Sequence, residues 1–328
     1  MFQTLPASLL ILILTSLTTP TQATIPNKNG PYNDPPAPGF GTWNLSRNTS
    51  EAVAAAVEAG YRHFDCATAY NNQKEVGAGI QLGLQRTGLK RGDLWVTSKI
   101  WGNRHGGLVG SGIENNLGEL GLEYVDLTLM HFPIGQVGGK SSYDYVATWK
   151  EMEKYAGEGK LTRFIGISNF NQTQVDDLLA SATIMPKVHQ FELHPYLQQQ
   201  AFVDYHKAKN ITVTAYAPLG NTNPSYVLRA RRATPLLQNP VLKEIAAARG
   251  CTPAQVSLKW NMDRGVIPHP KTQRKERQKE NFEAWTKCQL TDADRAKIKE
   301  LGAKPQRFWE ICSMMLRLPC YGGLEASS

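Results

Sequence analysis

Cysteine is scarce, with five in 328 residues at positions Cys66, Cys251, Cys288, Cys312 and Cys320. None forms a CxxC pair and none stands near a histidine at zinc-ligand spacing, which argues against a metal site. The odd count does not suit a disulfide framework, although Cys312 and Cys320 are close enough in sequence to pair under oxidising conditions. Long apolar runs are also missing. The longest, centred on Leu9 to Leu14, is too short to span a bilayer comfortably, which argues against stable membrane insertion. There is no dinucleotide-binding GxGxxG fingerprint either. GAGIQLG at 77–83 has one extra residue before its last glycine and sits in a helical stretch rather than directly after a strand, so it reads as helix packing. That absence counts against a Rossmann-type dehydrogenase.

What is present is a globular composition, 41% hydrophobic, with a formal net charge of +8 and a pI near 9.2. The charge points to an anionic partner: nucleic acid, a membrane surface or a phosphorylated small molecule. No aromatic residues interleave with the basic clusters RARR (229–232) and KTQRKERQK (271–279), which argues against single-stranded nucleic acid. Residues 1–23, MFQTLPASLLILILTSLTTPTQA, resemble a secretory signal ending in Thr21-Gln22-Ala23. A secreted or luminal location is the expectation. The cytoplasm is the alternative, because no Lys or Arg precedes the apolar run. Residues 24–38, rich in Pro, Asn and Gly, read as an irregular lead-in, and 39–328 as one domain ending in a loop. Nothing in the sequence specifies an oligomer.

Short apolar strands alternate with helical patterns through that domain. The expected strands are 62–65, 94–99, 125–131, 164–168, 187–192, 212–216 and 265–268, seven in all, with no place evident for an eighth. Between them lie helices such as SEAVAAAVEAG, where Ser50 is the expected cap and Gly60 the stop, and NPVLKEIAAARG, ending at Gly250. Repeated strand-then-helix units imply a parallel sheet. Asp65, Lys99, His131, Ser168 with Asn169, Gln190 with Glu192, and Tyr216 each fall at or just past the carboxyl end of a different strand. In an open sheet these ends spread along an edge; in a closed (β/α)8 TIM barrel they converge on one mouth. The α/β barrel is therefore the expected fold.

Four of the residues suit one chemistry. The phenol of Tyr70 can donate a proton near neutral pH only if neighbouring charges alter its proton affinity. Lys99 would stabilise the phenolate and lower that affinity, Asp65 would hold Lys99, and His131 would donate a hydrogen bond to a substrate carbonyl oxygen. Singly, each residue has an ordinary structural explanation. Together they suit protonation of an oxygen that becomes an alkoxide as a hydride reaches its carbon.

With GFGTW (39–43), GYRHFDCATAYNNQKEVG (60–77), LMHFP (129–133), IGISNF (165–170), QFELHP (190–195), AYAPLG (215–220) and PKTQRKERQKEN (270–281), the chain resembles an aldo-keto reductase from Gly39 to about Leu301. The resemblance implies a metal-free (β/α)8 barrel that binds NADPH across its mouth and reduces an aldehyde or ketone to the alcohol, with a small-molecule carbonyl as its partner. By the same match, Asp65, Tyr70, Lys99 and His131 form the catalytic tetrad with Tyr70 as general acid. Ser168, Asn169 and Gln190 hold the nicotinamide carboxamide, and Tyr216 stacks on the ring. Gly41, Thr42, Trp43 and Leu219 follow the cofactor, Lys271, Thr272 and Arg277 grip the adenosine 2'-phosphate, and Glu280 and Asn281 contact adenine. Trp43, Trp101, His131 and Phe132 would line the substrate pocket. A barrel that binds NADPH as a regulatory sensor with little turnover is the alternative. The chain departs from the pattern at Phe132, where tryptophan is usual, at Ala217 for serine, at His189 for asparagine, and in the HPKT turn.

Overall fold

Eight parallel strands pair in sequence order, which is the arrangement repeated β-α units produce. The structure is a computed structural model describing residues 32–222 and 234–309. The leader, the start of the lead-in, the RARR cluster, Cys312 and Cys320 lie outside the described residues. In chain order the described strands and α-helices are β1 (Phe40–Gly41), α1 (Thr49–Glu58), β2 (His63–Asp65), α2 (Gln73–Thr87), β3 (Trp95–Ile100), α3 (Val109–Leu120), β4 (Val125–Met130), α4 (Tyr145–Glu153), β5 (Thr162–Ser168), α5 (Gln172–Ser181), β6 (Val188–Glu192), α6 (Gln200–Ala208), β7 (Thr212–Tyr216), α7 (Pro240–Arg249), α8 (Pro253–Asp263), β8 (Val266–Pro268), α9 (Lys275–Phe282), α10 (Ala284–Lys287) and α11 (Asp292–Leu301). The Gly39 N–H donates to Pro268 O and the Gly41 N–H to Pro270 O, both at 3.0 Å, joining the last strand to the first. The sheet therefore closes into a (β/α)8 barrel.

The strand missing from the sequence reading is β1. Two residues within GFGTW cannot show the alternation that marks a strand. Its pairing, Phe40 with Phe64 and Gly41 with Asp65, sets it beside the first acid of the site.

Strand side chains alternate between the barrel interior and the helices. At the lower end of the barrel, Trp95, Leu127, Leu129 and Val188 form a buried cluster with Phe164 and Tyr32 packed against it, and Trp95 stacks on Phe164 with centroids 5.5 Å apart. Tyr32 belongs to the irregular lead-in, and Asp34 in the same segment pairs with Lys187 at 2.6 Å. The described part of the lead-in, from Tyr32 on, thus packs onto the barrel rather than merely preceding it.

Of the two helices marked by caps and stops in the sequence, α7 follows its signals throughout and α1 does not. Asn239 caps α7 by accepting from the Val241 N–H, Pro240 opens the helix, and Gly250 follows it at φ 62°. Ser50 does not cap α1. Asn48 holds that position, and the Ser50 hydroxyl donates to Glu75 O at 2.9 Å. The glycines of GAGIQLG lie inside α2, where a Cβ on Gly77 would come within 2.1 Å of Leu120 O and one on Gly83 within 2.7 Å of Val57. They are close-packing residues between helices.

Cys251 and Cys288 form a disulfide with Cα atoms 5.5 Å apart, tying the start of α8 to the residue after α10. The sequence reading did not anticipate this pair. Cys66 is free and buried, and among the described residues no helix is long and apolar enough to cross a membrane.

Candidate active site

Asp65 ends β2, Lys99 lies near the end of β3, His131 follows β4, and Tyr70 ends a short 3-10 turn over Thr68–Tyr70. Convergence at the barrel mouth brings all four together. The fully buried Lys99 ammonium donates to Asp65 Oδ2 at 2.7 Å, to Tyr70 Oη at 2.9 Å and to Cys66 O at 3.0 Å. Its three hydrogens are fully used. The Tyr70 and His131 rings meet edge to face with centroids 5.9 Å apart.

Burial opposes ionisation of Asp65, but the charge and hydrogen bond of Lys99, together with the Gln190 amide, outweigh it and hold the carboxyl at about 2. Tyr70 goes the other way from expectation. Burial, the Asp65 carboxylate and Cys66 push the phenol well above its ordinary value despite the adjacent ammonium. Burial is the main cause, and Asp65, at 2.7 Å from the same nitrogen, compensates the Lys99 charge that would oppose it. Tyr70 is therefore fully protonated before any reaction, with Lys99 placed to receive the phenolate.

Burial, and the Lys99 charge after it, push the His131 imidazole well below its ordinary value, so it is neutral and donates from one nitrogen only. Trp101 meets it edge on at 5.2 Å and Phe132 stacks on it at 5.1 Å.

A cavity of about 1060 Å³ opens above these groups. Its wall includes Asp65, Tyr70 and His131, then Ser168, Asn169, Gln190 and Tyr216. It also includes Gly41, Trp43, Trp101, Phe132 and Leu219, and continues to Lys271, Thr272, Arg277, Glu280 and Asn281. Thr42 is one exception. It is fully buried behind the wall, where its hydroxyl donates to Asp65 O at 2.8 Å and fixes the acid's backbone. Lys99 likewise acts from beneath the wall, through Asp65 and Tyr70.

The amides at the mouth are linked to one another. Asn169, at φ 65°, donates to His131 O at 3.0 Å and to Ser168 Oγ at 2.9 Å, and accepts from Tyr216 Oη at 2.9 Å. Gln190 donates to Asp65 Oδ1 at 2.9 Å. His189 supports this loop from behind. The Phe170 N–H donates to His189 Nε2 at 3.2 Å, which places the His189 proton on Nδ1, facing His206 Nε2 at 2.7 Å; His206 Nδ1 then donates to Phe202 O at 2.6 Å. Where the family pattern has asparagine, this chain has two buried neutral imidazoles in series.

Acid lability follows. His63, His131 and His189 are held well below the ordinary value of 6.5, and His206 and His269 at about 4, burial being the leading cause for each. Their depressed affinities mean that the unfolded chain binds more protons between pH 6.5 and about 4. Stability is full above that window and falls through it, by about 1.4 kcal/mol per pH unit for each of His206 and His269, and the other three act in the same direction. Melting curves should show a steep loss of Tm from pH 6.5 to 4.5; a flat profile would contradict the neutral-imidazole assignment.

At the far end of the cavity the half-buried Lys271 ammonium has its proton affinity lowered by burial and donates to Asn44 O at 3.4 Å. Neither Lys271, Arg274 nor Arg277 is ion-paired within 4.0 Å among the described residues, an arrangement that suits a bound anion. Arg274, His269 and Trp309 also line the cavity and were not singled out from the sequence. Arg274 was legible within the basic run; Trp309 was not, because the chain end follows no local pattern.

Residues 39–303 match the model of the aldo/keto reductase family. The chain belongs to that family. It is 39% identical over 293 residues to the NAD(P)H-dependent D-xylose reductase of Scheffersomyces stipitis, covering 82% of this chain and 91% of the relative. It is 38% identical over 290 residues to aldo-keto reductase family 1 member A1-A of Danio rerio, covering 83% and 88%. The solved aldose reductase of Schistosoma japonicum superimposes with a TM-score of 0.76 at 34% identity, covering 85% of this chain and 92% of that one. This aldo/keto reductase is accordingly an oxidoreductase acting on small carbonyl compounds with a nicotinamide cofactor.

Proposed function

We propose that this aldo/keto reductase reduces an aldehyde or ketone to the alcohol with NADPH, Tyr70 supplying the proton. The observation that carries the reading is the contact of a buried Lys99 with both Asp65 and Tyr70, at 2.7 and 2.9 Å, on one wall of a cavity that also reaches the cations Lys271, Arg274 and Arg277. The residues fit an extended dinucleotide phosphate. The hydroxyl and amides of Ser168, Asn169 and Gln190 suit a carboxamide, Tyr216 offers a ring at the same place, and the lowered proton affinity of Lys271 is what a phosphate would relieve. Bound there, the reduced dinucleotide supplies a hydride to the carbonyl carbon.

The chain's own groups handle the proton and the oxygen. His131, neutral, orients the carbonyl; Tyr70 passes its proton to the oxygen; Lys99 stabilises the resulting phenolate; Asp65 keeps the ammonium in place. Trp43, Trp101 and Phe132 line the cavity beside them and limit water there.

Purified protein should consume NADPH with some member of a panel of aliphatic, aromatic and sugar aldehydes and ketones. Cofactor choice is tested separately. Arg277→Ala should weaken NADPH binding by roughly 10- to 100-fold, the worth of a charge-assisted contact, and NADH binding by less than about threefold. Equal weakening of the two would show that the 2'-phosphate is read elsewhere.

A further inference from the structure

Glu192 ends β6 two residues beyond Gln190, on the same face of the strand, and is completely buried. The proposed reaction gives it no part. Its carboxylate is nonetheless well satisfied. Oε1 accepts from His194 Nε2 at 2.9 Å and from the Phe308 N–H at 2.8 Å, and Oε2 from the Trp309 N–H at 3.1 Å, with Arg307 Nη1 3.7 Å away. Two of these donors are consecutive peptide groups more than a hundred residues along the chain. The Gln306 N–H adds a bond to Tyr196 O at 2.9 Å, and the buried Phe308 ring stacks on His194 at 5.0 Å.

The consequence lies one side chain further out. The Trp309 ring stands edge on to Trp43 with centroids 4.9 Å apart, and both line the cavity that holds Tyr70 and His131. Resting on the reductase reading of that cavity, we infer that Glu192 is a positioning residue: it clamps the 308–309 backbone so that Trp309, packed on Trp43, completes an aromatic wall of the substrate pocket and selects aromatic carbonyl compounds. Only a group that accepts at both ends can do this. An amide at position 192 turns its NH2 toward peptide N–H donors whichever way it flips, and one of the two peptides is released.

The test compares nitrobenzaldehyde with propanal in wild type, Glu192→Gln, Trp309→Ala and the double variant, with NADPH affinity and thermal unfolding measured on the same samples. Loss of an aromatic wall should raise KM for nitrobenzaldehyde about tenfold in each single variant. Values of kcat, KM for propanal and NADPH affinity should stay within about twofold, because Glu192 acts only on the wall. The double variant should be no worse than either single one, since both remove the same wall. Additive losses, or equal loss on both aldehydes, would overturn the proposal while leaving the reductase reading intact. If Glu192→Gln does not fold, Trp309→Ala decides, and an unchanged ratio of the two KM values overturns the proposal. Wild type that turns over neither aldehyde nor any other carbonyl overturns both readings.

Discussion

Replacing Tyr70 with phenylalanine should lower kcat by a factor on the order of 10²–10⁴, the usual contribution of a positioned general acid. The substitution removes one oxygen and little else. Tyr70 Oη receives a hydrogen bond from Lys99 at 2.9 Å, and the ring keeps its edge-to-face contact with His131 without it. Folding and NADPH affinity should therefore stay near wild type, with the loss falling on kcat. Near-normal turnover in this variant would remove Tyr70 from the mechanism. A loss of NADPH affinity as large as the loss of kcat would instead mean that the phenol holds the cofactor.

Lys99→Met should have the second large effect, on two properties at once. Lys99 and Asp65 form an ion pair with side chains 0% and 4% exposed, so removing the ammonium leaves a buried carboxylate facing the Gln190 amide and, 3.8 Å away, the His269 imidazole. Breaking such a pair typically costs about 3–5 kcal/mol of stability, whereas replacing both partners with neutral groups of similar shape costs much less. The double variant Asp65→Asn, Lys99→Met should thus recover most of the melting temperature lost in Lys99→Met. Turnover should not recover, because no charge remains to receive the Tyr70 phenolate. Recovery of activity along with stability would show that the pair serves the fold alone.

The parts of this molecule that the sequence disclosed share a physical origin. Val125–Met130 and Val188–Glu192 carry enough residues for a strand signal, and a parallel barrel places each strand's carboxyl end at one mouth. The convergence of Asp65, Lys99, His131, Ser168 and Gln190 was readable for that reason. β1 was hidden because Phe40–Gly41 offers one step of alternation, and one of its two partners comes from the far end of the chain. The rise in Tyr70's proton affinity was missed because it depends on burial and on Asp65 sharing the Lys99 nitrogen, a three-dimensional balance. Trp309 was hidden for a further reason. What places it is a backbone N–H on a buried carboxylate, which leaves no mark on side-chain patterns. Cys251 and Cys288, 37 residues apart, likewise carry no local signal that they meet.

The most direct test of carbonyl reduction by hydride transfer is to run the reaction with NADPH deuterated at the transferring carbon of the nicotinamide and to locate the label in the product. The alcohol should carry one deuterium on the former carbonyl carbon, formed by wild type and at least about 100-fold more slowly by Tyr70→Phe. An alcohol without deuterium would contradict the proposed chemistry, and tight NADPH binding with no alcohol from any carbonyl compound would leave a barrel that senses the cofactor rather than one that uses it.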